Sequence, residues 1–390
     1  MDKNVKIEYF IGLKGMCAFI VVFHHFVFGF YPALYTGDIN QTHTSKFLEI
    51  YISNSPLNIF YAGNFVVCIF FILSGFLVTY KFFKYKDSKC IYSGAIKRYF
   101  RLVIPSVFSI VIVYIMMRLS LFYNQEVSQI SKSEWWLGSF WTFQTNFLSM
   151  LREGLIGIFI GEQCNYNPPL WTMTYELYGT MLVLGLIALI GKNKNRYIFY
   201  AIACFLFRNS YYLAFILGVY MCDLFTNDSI KNILKTDKRI IIAIYFFSGI
   251  YFGAYPSTGH LEGTIYNNLY LPTISNVWMF SHILGAFLVI LSILNSKILK
   301  KVFSYKYIKK IGEQSFSIYI IHFCIMGSFS SYLFAKLSKY LNYSGTFIIT
   351  FILSFVLIYS ISILITDYVE RYGITLSNKI YNYIYVTNEN

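Results

Sequence analysis

Apolar residues in this chain run in helix-length blocks separated by short polar stretches, rather than recurring as stripes. The blocks lie at about residues 9–30, 60–80, 102–121, 170–190, 197–207, 211–225, 240–256, 274–295, 312–335 and 346–366. About 20 apolar residues cross the roughly 30 Å hydrocarbon core of a bilayer as one α-helix. Only helices and closed barrels satisfy their backbone polar groups there. The pattern therefore predicts an all-α, polytopic integral membrane protein with about ten transmembrane helices in one bundle. The weakest pair is 197–207 and 211–225, because eleven residues rise only about 16 Å, and it reads equally as a re-entrant hairpin. Residues 135–160 are partly apolar but carry Arg152 and Glu153. They are expected to form an outer-face lid with Trp135, Trp136 and Trp141 as interfacial anchors. Residues 1–390 are expected to be a single membrane domain, with a core over about 6–366, a cytoplasmic tail over 367–390 and no appended soluble domain.

Composition agrees with a membrane protein: 57% of residues are hydrophobic and 13% charged, against about a quarter charged in soluble domains. The net charge of +14 falls between apolar blocks, which points to orientation in a bilayer and away from nucleic acid. With a cytoplasmic N-terminus and ten passes, 25 of the 32 Lys and Arg face inward. Counting 135–160 as a span would push three basic loops outward, so both termini are expected in the cytoplasm. The seven cysteines show neither CxxC nor metal-ligand spacing and read as small buried hydrophobes; no metal is expected. The first residues, MDKNVKIEYF, lack a small-residue cleavage site, so the first block is expected to remain as a span.

Ionisable residues inside a span are costly enough to be functional-site candidates. The first block holds Lys14, His24 and His25. Lys14 and His25 are eleven residues apart, so they share one face of a helix about 16 Å apart along its axis. His24, His25 and His322 can serve as hydrogen-bonding glue between helices. A neutral imidazole can instead take a proton from an attacking hydroxyl, and the aligned cation favours that role for His25. Glu176, in NPPLWTMTYELYG, is expected at the depth of the two histidines, either partnering an Arg or Tyr or orienting the catalytic imidazole. Lys97, Arg98 and Arg101 form a cation cluster at the start of the third block, suited to lipid headgroups or to a phosphorylated cofactor. Ser74 and Gly75, in FFILSGFLVTY, permit close approach of a helix or a ligand.

Four segments, GLKGMCAFIVVFHHF, FFILSGFLVTY with KRYFRLVIP, LWTMTYELYG, and IGEQSFSIYIIHFCIM, resemble in order the signatures of the acyltransferase 3 family of membrane O-acyltransferases. The resemblance covers about residues 6 to 366. It implies about ten spans and transfer of an acyl group, commonly acetyl from acetyl-CoA, to hydroxyls of glycans outside the cytoplasmic membrane. It places the family histidine at His25. The family's arginine before the following glycine is Lys14 here, a point charge without the guanidinium fork. The basic cluster corresponds to Lys97, Arg98 and Arg101, the W-x(4)-E signature to Trp171 and Glu176, and the SxxIYxxH ending to His322 as a structural or pocket-lining residue.

The resulting expectation is an O-acetyltransferase of a cell-envelope or secreted polysaccharide or glycolipid. It would be a multi-pass protein of the cytoplasmic (inner) membrane with acetyl-CoA as donor. His25, Glu176 and His24 would be catalytic, Lys14, Lys97, Arg98, Arg101, Ser74 and Gly75 would hold the cofactor, and Trp171 and His322 would line the substrate pocket. Expected partners are a glycan acceptor and the lipid bilayer. A transporter or flippase for a lipid-linked sugar is the competing class, with the intramembrane His and Glu as a proton relay; the absence of an inverted repeat argues against it.

Overall fold

The structure, a computed structural model, describes residues 7–226, 234–257, 261, 264–267, 269, 271 and 273–386. Residues 227–233, parts of 258–272 and both chain ends lie outside the described residues. Ten apolar helices carry the fold: α1 Glu8–Phe30, α2 Gly63–Tyr85, α3 Lys89–Arg118, α4 Thr172–Ile190, α5 Arg196–Leu206, α6 Tyr212–Thr226, α7 Arg239–Gly253, α8 Val277–Asn295, α9 Ser315–Ile325 and α10 Tyr343–Ile365. No strand occurs among the described residues. Seven helical stretches are long and apolar enough to cross a membrane. These are α1, α2, α3, α4 with the turn before it, α8, and the two stretches that α9 and α10 begin, Ser315–Leu337 and Tyr343–Ile384. α5, α6 and α7 are shorter. α5 is tied to α6 by Arg196, which donates to both oxygens of the buried Asp223 at 2.5 and 3.0 Å.

α1 is apolar nearly all round because it is buried on two sides. Phe10, Leu13, Cys17 and Val21 enter one core with residues of α2, α4, α6 and α8. Ala18, Val22, Phe26 and Phe30 enter another with α3, α9, α10 and the 119–171 segment. Lys14, His24 and His25 are partly buried, and Met16 and Phe19 are exposed on the same helix.

Between membrane helices, close packing replaces the hydrophobic driving force, so small residues mark the contacts. A Cβ added at Gly75 of α2 would stand 2.2 Å from the Phe215 carbonyl oxygen of α6, and one at Gly218 of α6 would stand 2.2 Å from the Ile72 carbonyl oxygen of α2. Reciprocal glycines let the two backbones touch. Gly75, expected at the cofactor, packs against the backbone of α6. Gly15, beside Lys14, does the same for the short helix Lys306–Glu313: its added Cβ would lie 2.5 Å from the Ile308 carbonyl oxygen.

Three boundaries differ from the sequence reading. α3 begins at Lys89 rather than near 102, so its basic first turns are helical, and from them Arg98 reaches Glu176 of α4. The residues beyond 366 continue as a helix to Val386, and Tyr381 there receives the Lys97 ammonium 4.4 Å from its ring centroid. The 119–171 segment folds into short helical turns, none long enough to cross a bilayer. Of the three tryptophans expected as interfacial anchors only Trp135 is exposed; Trp141 is buried and packs on Gly327, and Trp136 lies against His25.

Gly75→Ala and Gly218→Ala should each lower the thermal stability of purified protein by about 1–3 kcal/mol, the usual cost of overpacking. The protein that remains folded should show an unchanged KM for its acyl donor. Thermal melts and donor titrations check both halves.

Candidate active site

A cavity of about 190 Å³ opens between α1, α2, α8 and the loops that precede α2 and α4. His24, His25 and His282 line it, with Tyr35, Tyr61, Tyr211, Tyr255, Trp171, Trp278 and Tyr319 among its walls. Among the described residues no Asp, Glu, Lys or Arg lines it. It is smaller than the roughly 300–1,000 Å³ of sites for drug-sized ligands, which suits one ring-sized group.

His25 is fixed by main-chain geometry. Its Nδ1 lies 2.9 Å from the Val21 carbonyl oxygen, one helical turn earlier, and 3.1 Å from His322 Nε2. A carbonyl only accepts, so Nδ1 carries the proton and Nε2 presents a lone pair. His322 repeats the arrangement on α9, with Nδ1 donating to the Ile318 carbonyl at 3.1 Å, which leaves its Nε2 to accept from His25. The His25 ring is held between Trp136 and Phe323, with ring centroids at 6.0 and 5.3 Å. No protein group among the described residues meets His25 Nε2, and the atom remains accessible.

The second cluster lies deeper. Arg98 pairs with the Glu176 carboxylate, Ser74 donates to the same carboxylate at 2.9 Å, and Arg98 also donates to Ser74 Oγ at 2.7 Å. Glu176, expected beside the histidines, is thus held by Arg98 and Ser74. An unpaired carboxylate in a low-dielectric interior is costly, and the helical start of α3 brings the guanidinium to it. Ser74 belongs to this tie. The charges acting on Lys14 are Glu176, Arg98 and Arg101, so α1 delivers its cation here, about 16 Å along the helix from His25. The Lys14 ammonium has no hydrogen-bond or ion-pair partner among the described residues. Arg101 is acted on by Arg98 and Glu370.

Trp171 lines the outer cavity and His322 stands behind His25. Reasoning from sequence passed over the wall facing them. Tyr211 donates to Asn64 Oδ1 at 2.5 Å, Asn64 Nδ2 donates to His282 Nδ1 at 2.8 Å, and His282 Nε2 donates to the Tyr255 carbonyl at 2.9 Å. His282 carried a readable signal, since it interrupts the apolar block 274–295. Tyr319 joins the two regions: it lines the cavity, donates to the Pro169 carbonyl and lies 2.8 Å from Thr172 Oγ1. Among the described residues no group of three or more His, Cys, Asp or Glu could hold a metal.

The family model for the Acyl_transf_3 acyltransferase domain matches residues 7–367, which encompasses both clusters. The chain belongs to the acyltransferase 3 family. It is an acyltransferase, and the intramembrane His and Glu are read in that light rather than as a transporter's relay. Curated relatives include acyltransferase clz18 of Cochliobolus lunatus, 22% identical with 84% of each chain covered. Acyltransferase R4 of Phoma sp. is 21% identical with 70% of each covered. No solved structure matches the chain.

Glu176→Gln should leave the Arg98 cation without its counter-charge and destabilise the protein by about 1–3 kcal/mol or more. Replacing both residues by Met should recover much of that loss. Melting curves of the single and double variants in detergent check the pairing.

Proposed function

We propose that this acyltransferase is an O-acetyltransferase that moves an acetyl group from acetyl-CoA to a hydroxyl of a cell-envelope or secreted polysaccharide or glycolipid. The observation that carries the reading is His25: its proton is fixed on Nδ1 by a main-chain carbonyl, and its Nε2 lone pair opens into an uncharged cavity. The acceptor hydroxyl gives its proton to Nε2 as its oxygen bonds to the thioester carbonyl carbon. The imidazolium that forms keeps Nδ1–H on Val21 and His322, so no reorientation is needed. Collapse of the tetrahedral intermediate breaks the C–S bond, and Nε2 returns the proton to the departing CoA thiolate. The products are the acetyl ester and CoA thiol.

The donor's phosphates suit Lys14, Arg98 and Arg101. Lys14 stands without a counter-ion beside a guanidinium already paired to Glu176, which leaves a positive charge for an anion to neutralise. Lys97, lying over Tyr381, would act at the margin of this site. In this reading the chain is one membrane domain of ten passes with both termini in the cytoplasm. α6 packs along α2 and α7 along α8, α5 packs on α6, and all three count as passes in this reading. The cation cluster then faces the cytoplasmic supply of acetyl-CoA and the cavity faces the exported glycan across the inner membrane.

One assay tests both ends. In membranes normalised for protein, His25→Gln should lower acetyl transfer to surface glycans about 10²–10⁴-fold without reducing protein level. Lys14→Ala should raise the acetyl-CoA KM about ten- to a hundredfold, the value of a charge-assisted contact, and Lys14→Arg should restore it. Activity in His25→Gln, or an unchanged KM in Lys14→Ala, would contradict the corresponding half.

A further inference from the structure

Two imidazoles face this cavity in the same electronic arrangement. His24 Nδ1 lies 2.8 Å from the Tyr61 carbonyl oxygen, so it too carries its proton on Nδ1 and presents a lone pair at Nε2. No protein group among the described residues meets that nitrogen, and it is accessible. The His24 and His25 ring centroids are 5.1 Å apart with their planes at 76°. His282, the third imidazole of the cavity, has both nitrogens occupied by Asn64 and Tyr255 and serves only as wall.

Side by side, then, are two hydrogen-bond acceptors in a cavity with no charged side chain among the described residues that line it. One proton acceptor suffices for acyl transfer. A second, open to the cavity and met by no protein donor among the described residues, is left to accept from a ligand hydroxyl. With the two ring centroids 5.1 Å apart, hydroxyls on neighbouring carbons of one ligand can each be directed at one of the two nitrogens. Trp171, Trp278, Tyr35 and Tyr61 offer the flat faces against which the C–H side of such a ring can lie.

We infer that His24 determines acceptor specificity: its Nε2 accepts a hydrogen bond from the hydroxyl adjacent to the one acylated at His25, so the enzyme selects uncharged vicinal diols. The inference rests on the reading of His25 as the proton acceptor. It also assigns a purpose to the outer loop, since the carbonyl that fixes the His24 tautomer belongs to Tyr61, just ahead of α2.

The test uses the full chain in membranes, labelled acetyl-CoA, and two probe acceptors of one ring size, cyclohexanol and cis-1,2-cyclohexanediol. Wild-type protein should favour the diol by about tenfold in kcat/KM, as expected when a site's acceptor would otherwise lack its partner. His24→Asn retains an N–H where Nδ1 stood, and so can keep the tie to Tyr61, but has nothing at Nε2; its diol-to-alcohol ratio should fall toward one. His24→Gln places an amide oxygen near the Nε2 position and should keep part of the preference. Equal wild-type use of the two alcohols overturns the specificity role and leaves acetyl transfer standing. So does a His24→Asn variant that loses activity on both in the same proportion, as a purely structural histidine would. Transfer to neither alcohol by wild-type protein would overturn the acetyl-transfer reading and this inference together.

Discussion

The tie between Arg98, Glu176 and Ser74 is the constraint on which the interior is arranged. Charges inside a membrane bundle must be paired, and removing one partner leaves the other stranded in low dielectric. Here the pair joins α2, α3 and α4 beneath the cavity. Because Glu176 answers Arg98, Lys14 has no hydrogen-bonded carboxylate among the described residues, and the cluster keeps a positive balance. A site for a polyanionic donor can be built in this way, with one guanidinium fixed by a carboxylate and a second cation left to the ligand.

Above that tie, polarity is fixed by main-chain carbonyls. His24, His25 and His322 each donate from Nδ1 to a carbonyl oxygen, of Tyr61, Val21 and Ile318 respectively. A carboxylate is the usual device for holding a histidine's tautomer in a catalytic triad. In this cavity the helix backbone holds it, with His322 as second acceptor, so no negative charge is needed next to the reacting hydroxyl. Charge is thus gathered at the Lys14–Arg98 cluster, and neutral lone pairs and aromatic rings lie at the cavity, which the proposed function assigns to donor and acceptor respectively.

How much of this was legible in the sequence varied with the range of the interaction. Apolar blocks report burial directly, and each of the ten corresponds to a helix; three are too short to establish a crossing by length, which is why the pass count does not follow from the pattern. The alignment of Lys14 with His25 follows from helical periodicity alone. The partner of Glu176 did not follow, because the helical reach of α3 below residue 102 is set by packing and the pairing crosses three helices. Gly75 looked equally suited to a ligand or to a neighbouring helix, and the Phe215 carbonyl opposite it is set by tertiary structure. His322 behind His25, 297 residues away, is a pure consequence of tertiary structure. His282 was visible as a polar interruption, but its bonds to Asn64 and Tyr255 were not.

The claim at the centre of this account is that His25 stands neutral with its proton on Nδ1 and its Nε2 open to the cavity. Solid-state ¹⁵N NMR of histidine-labelled protein in lipid at about pH 7 measures this directly, with His25→Gln identifying the resonances. The account predicts a protonated Nδ1 and an unprotonated Nε2 for His25. A proton on Nε2 with a bare Nδ1 would contradict it, because that tautomer can neither donate to Val21 nor take a proton from a hydroxyl in the cavity.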